Sequence, residues 1–437
     1  MEPLFSTLGT TIGLALAIAL VMLRMQPAYA LMVGALVGGL AGGGSLADTV
    51  THATSGVQGM TPAILRILAS GVLVGALIKT GSAERLARAI VDTLGRHFAV
   101  AAVAVATLVV CAVGVFIDIS VITVAPVALA VARRANLSTA GILLAMIGGG
   151  KAGNIISPNP NTIATAEAFK VDLTSLMAAN ILPALAALAA TILLAGWLAK
   201  RKEEVGGAGD SPAQNAGKTP ATPISLKQPS LWAALVGPVV VVALLALRPL
   251  ANVKIDPFLA LPLGGIASIL ATGNLRNGYA FAEFGLSKVT GVAILLIGTG
   301  TLAGIIKASG LQGDVIALLN AAHLPAFVLA PVSGVLMAGA TASTTAGATI
   351  AAQTFSPALA EAGVAALGGA AMIHAGAAMI HAGATVVDSL PHGSFFHATG
   401  GAVFMDMRAR LRLIPFEAAI GLVSTLAAVA VYLVRWP

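Results

Sequence analysis

Long apolar stretches broken by short polar ones occupy almost the whole chain. Taken at about 20 apolar residues per crossing, they predict spans at roughly 7–24, 28–45, 62–80, 138–168, 174–199, 231–247, 257–272, 289–308, 365–405 and 413–434. Pro, Gly and polar residues interrupt 138–168 and 365–405, which predicts two broken helices. The apolar segments 98–132 and 324–360 are too long for one span and carry polar or small residues near their middles, Asp118-Ile119-Ser120 and Thr341 to Thr345. Arg96 and Arg133-Arg134 bracket the first, which places both its ends on the cytoplasmic face. Each is therefore predicted as a re-entrant hairpin, with two thin full spans as the alternative.

The pattern repeats. Ala145-Met146-Ile147, Gly150 and Pro158 recur as Ala378-Met379-Ile380, Gly383 and Pro391, and Gly71-x-Leu73-x-Gly75 recurs as Gly300-x-Leu302-x-Gly304. Ala30-Leu31-x-x-Gly34 recurs as Ala260-Leu261-x-x-Gly264, all at offsets of about 230 residues. Two related halves are predicted: 1–199 and 231–437, joined by a polar Gly- and Pro-bearing linker at 200–230. With the N-terminus outside, most Lys and Arg residues fall on the cytoplasmic side, and the halves then enter the membrane from opposite faces. The expected fold is an all-α polytopic membrane protein. It comprises two inverted-topology repeats of about five transmembrane helices, each with one re-entrant hairpin and one broken helix.

Composition agrees, at 58% hydrophobic and 9% charged residues, where soluble domains carry roughly a quarter charged. The net charge of +7 is assigned to cytoplasmic loops, so no nucleic-acid partner is expected. Cys111 is the single cysteine, which excludes a disulfide framework and a Cys-based metal site. Leu8–Leu23 followed by Ala28-Tyr29-Ala30 imitates a cleavable signal, but the residues before it carry Glu2 and no basic residue and 231–247 is its partner, so it reads as the first transmembrane helix.

Candidate chemistry gathers in four polar patches. In Gly148 to Thr162, the Gly cluster, two prolines and three asparagines are expected to break the helix. Free backbone groups are then left near mid-membrane. Asn154, Ser157, Asn159, Asn161 and Thr162 suit the hydroxyls and carboxylate of a polyol acid, with Lys151 to neutralise charge; an extracellular loop is the plainer alternative. The matching patch holds His381, Asp388, Ser389, Pro391, His392 and His397. Intramembrane ionisable residues are functional candidates by default, so Asp388 and His381 are assigned to ion coupling, while His397 is read as lining an aqueous mouth. Asp118 is the only charge between Phe98 and Ala132. It must be protonated, paired with Lys151 or bound to a cation. Ser343, Thr344 and Thr345 would face the substrate from the second hairpin, or serve as ordinary helix packing. Ala371–Ala377 and Ala378–Ala384 both read Ala-Met-Ile-His-Ala-Gly-Ala, and only the second copy matches the first half, so His374 is read as the passenger.

Through Gly148 to Thr162, Gly114-Val115-Phe116-Ile117-Asp118 and Asp388-Ser389-Leu390-Pro391-His392, the chain resembles the gluconate permease (GntP) family of the ion transporter superfamily. The resemblance implies a multi-pass permease of the bacterial inner membrane for gluconate or a related small hydroxy acid, usually proton-coupled. It also implies a homodimer and an elevator motion. No cofactor or metal is expected, and the coupling ion is H+, with Na+ left open. A cation/proton antiporter or anion exporter of the same superfamily is the alternative. An intramembrane enzyme is disfavoured by the lack of H-E-x-x-H and G-x-S-x-G.

Overall fold

The computed structural model describes residues 3–95, 98–201, 228–253, 255–341, 343–378 and 394–435. The first stretch of chain folds into α1 (Thr7–Met22), α2 (Pro27–Ala41), α3 (Leu46–Lys79), α4 (Ser82–Leu94), α5 (Ala99–Ala112), α6 (Ile117–Ala135), α7 (Thr139–Ile155), α8 (Pro160–Ala168), α9 (Leu173–Ala179) and α10 (Ile181–Ala199). Then come α11 (Leu231–Ala251), α12 (Pro257–Ala271), α13 (Gly278–Lys307), α14 (Leu311–Ala321), α15 (Leu329–Thr341), α16 (Thr344–Glu361), α17 (Ala366–Ala378), α18 (Ser394–Ala402), α19 (Met407–Leu411) and α20 (Ile414–Arg435). Five helical stretches among the described residues are long and apolar enough to cross a bilayer, and α14 with α15 adds a pair bent by 119°. The protein is an all-helical, multi-span membrane protein.

The long helices α3 and α13 pack against each other at the centre, α2 lying on α13 and α12 on α3. Small residues permit this approach. Gly71 of α3 lies on Gly285 of α13 and Gly75 on the Phe281 carbonyl, while Gly300 and Gly304 of α13 lie on Gly56 and the His52 carbonyl of α3. Contacts that climb one helix descend the other, so α3 and α13 run antiparallel. A methyl group at Gly75 or Gly304 would run into backbone.

Several boundaries differ from the sequence reading. Helix α3 begins at Leu46 rather than near 62, and α13 at Gly278 rather than near 289. The added turns carry polar residues such as Asp48, Thr51, Thr54 and Glu283, which a search for apolar runs passes over. Helices α4 and α14 were not predicted. In α4, Ala83, Leu86, Ala87 and Val91 face inward while Arg88 and Asp92 are exposed, a helical period too polar to register as a span. The predicted span 174–199 is divided at the buried Asn180. In the segment 98–132 the chain breaks at Val113–Phe116, where Gly114 takes φ +111°, and Asp118-Ile119-Ser120 form the first turn of α6. The break after α15 falls where expected, with Ser343 capping α16.

Glycines 148–150 do not break the helix. Helix α7 runs unbroken to Ile155, with Gly149 and Gly153 against the Ala104 and Leu108 carbonyls of α5 and Gly148 against Thr191 of α10. The break follows at 156–159, where Pro158 and Pro160 withhold their N–H groups. Of the predicted broken helix 365–405, only α17 and α18 lie within the described residues, and most of the 200–230 segment lies outside them.

Candidate functional site

The α7–α8 break gathers the first polar patch. Asn159 caps α8, its Oδ1 accepting from the N–H groups of Asn161 and Thr162 at 2.9 and 3.1 Å. Its Nδ2 donates to the backbone oxygen and Oδ1 of Asn154 at 2.9 and 2.7 Å. Asn161 Nδ2 reaches the same Oδ1 at 3.3 Å, so one side chain holds the two sides of the break together. Ser157 is buried beside them.

This network is incomplete. Asn154 Nδ2, Ser157 Oγ and Asn161 Oδ1 are buried and have no hydrogen-bond partner among the described residues. Each such vacancy costs roughly 1–3 kcal/mol. Three within a few residues call for polar partners beyond the described residues. A further partner comes from α17: the buried His374 places Nε2 3.1 Å from Thr162 Oγ1, and its Nδ1 has no partner among the described residues. His374, set aside in the sequence as the passenger copy, is thus brought to the predicted patch.

Lys151, a turn before Asn154 on α7, points to α20. Its Nζ lies 3.3 Å from the Glu417 backbone oxygen and 3.7 Å from Oε2. Glu417 is also ion-paired to Arg410 of α19, and Arg410 Nη2 donates to Thr399 Oγ1 of α18 at 3.3 Å. All three charged side chains are at most 1% exposed. Among the described residues Lys151 therefore pairs with Glu417 rather than with Asp118. Asp118 stands apart in the first turn of α6, within the field of Lys288 of α13. Glu417 was missed in the sequence although it lies in the apolar run 413–434, a signal of the same kind that selected Asp118.

A second charged group lies at the far end of α8. Arg66 of α3 holds Asp256, the cap of α12, through Nε at 3.0 Å and Nη2 at 2.8 Å, and is paired with Glu167 of α8. Hydrogen bonding from Arg66 keeps the Asp256 carboxyl below the usual carboxylate range. Arg66 and Asp256 line a cavity of about 300 Å³ that reaches Ile163, one turn into α8.

Ser343 accepts from the Ala346 N–H at 3.2 Å, Thr344 is buried and Thr345 half-buried on α16. Helix α16 packs on α8, joined by a bond from Ser356 Oγ to the Ala168 oxygen at 3.1 Å. No hydrogen bond among the described residues joins Ser343 to the asparagine cluster. His381, Asp388 and Ser389, with Pro391 and His392, lie outside the described residues.

Known proteins give these features a family. A protein of Haemophilus influenzae (strain ATCC 51907 / DSM 11121 / KW20 / Rd), described as an uncharacterized transporter, is 51% identical over 427 residues and covers 98% of each chain. An uncharacterized permease of the same strain is 26% identical over 180 residues, 41% of this chain and 37% of its own. The solved structure of the Alcanivorax borkumensis YdaH transporter, of unusual topology, aligns with a TM-score of 0.64 over 90% of both chains at 16% identity, a likeness of fold. The model of the GntP family permeases matches residues 5–261. Together with the long relative, that match makes this chain a member of the GntP family of permeases, a transporter family and not an enzyme family.

Proposed function

We propose that the chain is a secondary active transporter carrying a small hydroxy- or sugar-acid anion in symport with protons across the bacterial inner membrane. The observation that carries this reading is the set of buried polar atoms at the α7–α8 break that have no partner among the described residues. Asn154 and Ser157 offer donors to a carboxylate and Asn161 an acceptor to a hydroxyl. Asn159 and Thr162 hold the cluster in shape, and Ser343, Thr344, Thr345 and Ser389 complete it from the second half.

A broken helix between two related halves is the arrangement that alternating access uses. The inverted repeat, with halves 1–199 and 231–437, is supported by the antiparallel, reciprocal glycine contacts of α3 and α13; a hairpin in each half is part of the same reading. In this reading Asp118, Asp388 and His381 handle the coupling proton, a site that Na+ would also suit. Lys151 tunes the field at the break from its ion pair with Glu417. A homodimer completes the proposal.

Counterflow in proteoliposomes tests it, with labelled gluconate, 3-hydroxybutyrate, glycerate, lactate and D-serine, with and without an inward proton gradient. Uptake of one acid that rises with the gradient supports the symporter. If no acid moves and the protein dissipates a proton or sodium gradient by itself, the antiporter replaces it.

A further inference from the structure

Two lysines from different halves of the chain converge on one aromatic ring. Lys79 Nζ, at the end of α3, lies 4.1 Å from the centre of the Phe284 ring of α13. Lys288 Nζ, one turn further along α13, lies 5.0 Å from the same centre. Lys79 and Phe284 are half-buried and Lys288 is exposed. Among the described residues no carboxylate forms an ion pair with either lysine, and Asp118 shares the field of Lys288 at longer range. A ring attracts one ammonium modestly, but a second beside it adds repulsion that an anion between them relieves.

The depth of the pair says which anion. From Val289 to Ile306, α13 runs 18 residues without a charge, about one bilayer crossing, so Lys288 stands where that helix leaves the hydrocarbon. Its side chain leans back towards the start of α13, and so towards the lipid headgroups. Because α3 and α13 run antiparallel, the end of α3 reaches the same face of the membrane. Arg85 and Arg88 of α4 and Arg276 before α13 lie on that face too. That is the bias of the cytoplasmic side, where anionic lipids give the leaflet its negative potential. We propose that Lys79 and Lys288 hold the phosphate of an anionic phospholipid, with the Phe284 ring as the apolar floor of the site. Such a lipid fastens α3 of the first half to α13 of the second.

Purified full-length protein in a neutral detergent is titrated with dioleoyl phosphatidylglycerol, dioleoyl phosphatidylcholine or inorganic phosphate. Native mass spectrometry counts the retained lipid, and the ligand-dependent rise of the unfolding midpoint gives an apparent affinity. Wild type is expected to prefer phosphatidylglycerol over phosphatidylcholine by about 10- to 30-fold. Lys79→Gln/Lys288→Gln should bring the two lipids within about twofold of each other, while Lys79→Arg/Lys288→Arg keeps the preference. Lys288→Gln alone, at an exposed position, should lose about three- to fivefold of it, which keeps the test open if the double variant does not fold. Lys307→Gln, at the opposite end of α13, is expected to leave the preference unchanged.

The proposal is overturned if the glutamine variants, with unfolding midpoints near that of wild type, keep the full preference. It is overturned as well if wild type binds both lipids equally, or if Lys307→Gln lowers the preference as much as the double variant does. A lysine-dependent rise with inorganic phosphate, and none with phosphatidylglycerol, would make this a soluble-anion site and overturn the lipid assignment.

Discussion

Among the described residues, two charged clusters flank the α7–α8 unit, and they differ in composition and in burial. Lys151, Glu417 and Arg410 are at most 1% exposed, with two cations about one carboxylate among the described residues. Arg66, Glu167 and Asp256 have side chains 26%, 23% and 46% exposed, with two carboxylates about one cation. The buried cluster ties the helix before the break to α19 and α20. The more open one ties the helix after it to α3 and the start of α12. Buried ions must stay paired, because a lone charge there has no water to fall back on. Ions that keep part of their surface open lose less on parting. The first cluster is suited to hold a unit together through a transport cycle, and the second to let go within it.

The sharpest way to break this comparison is to remove one carboxylate from each. Glu417→Gln removes the carboxylate that Lys151 and Arg410 share and should lower stability by about 3–5 kcal/mol. Glu167→Gln should lower it by less than about 1 kcal/mol. Unfolding in detergent measures both, and similar losses would erase the distinction.

The next effect separates scaffolding from binding within the break. Asn159→Ala removes a helix cap and the bonds to Asn154, and should cost about 1–2 kcal/mol together with transport. Among the described residues, Asn161→Ala removes one long bond. It should leave the unfolding midpoint nearly unchanged and still abolish substrate-dependent stabilisation.

Arg66→Gln should change stability by less than about 1 kcal/mol, yet alter initial uptake by up to roughly fivefold if α8 parts from α3 during the cycle. An unchanged rate would make that cluster a passive surface feature.

The smallest effect is in pH. Asp256 titrates below the usual carboxylate range, so its contribution is present above the unfolded value of about 3.9 and lost as pH falls through the lower folded value. The stability gap between wild type and Arg66→Gln should be equal at pH 7 and 5 and shrink below about pH 4. A gap that closes already at pH 5 would contradict the pairing.

Much of the framework was legible because bilayer spans and Pro-bearing breaks are local properties. Pro158 and Pro160 locate the break, and the asparagines around it are conspicuous in an apolar chain. The helical run of Gly148 to Gly150 was not legible, since whether glycine breaks a helix or admits a neighbour depends on Ala104 and Thr191 across the interface. Nor were the ion pairs. Nothing local joins Lys151 to Glu417 or Arg66 to Glu167, and only packing brings them together. His374 was masked by its duplicate seven residues on, because periodicity cannot tell which copy faces Thr162. Helix α4 was hidden by its charge, although its buried positions keep a helical period.

Proton-driven uptake by wild type and Asn161→Ala, reconstituted side by side and matched for unfolding midpoint, tests the proposed substrate site most directly. The site described here predicts that wild type accumulates a labelled hydroxy acid from the panel under an inward proton gradient, while Asn161→Ala, equally folded, does not. Equal accumulation by both would show that the buried break is scaffold and that substrate passes elsewhere.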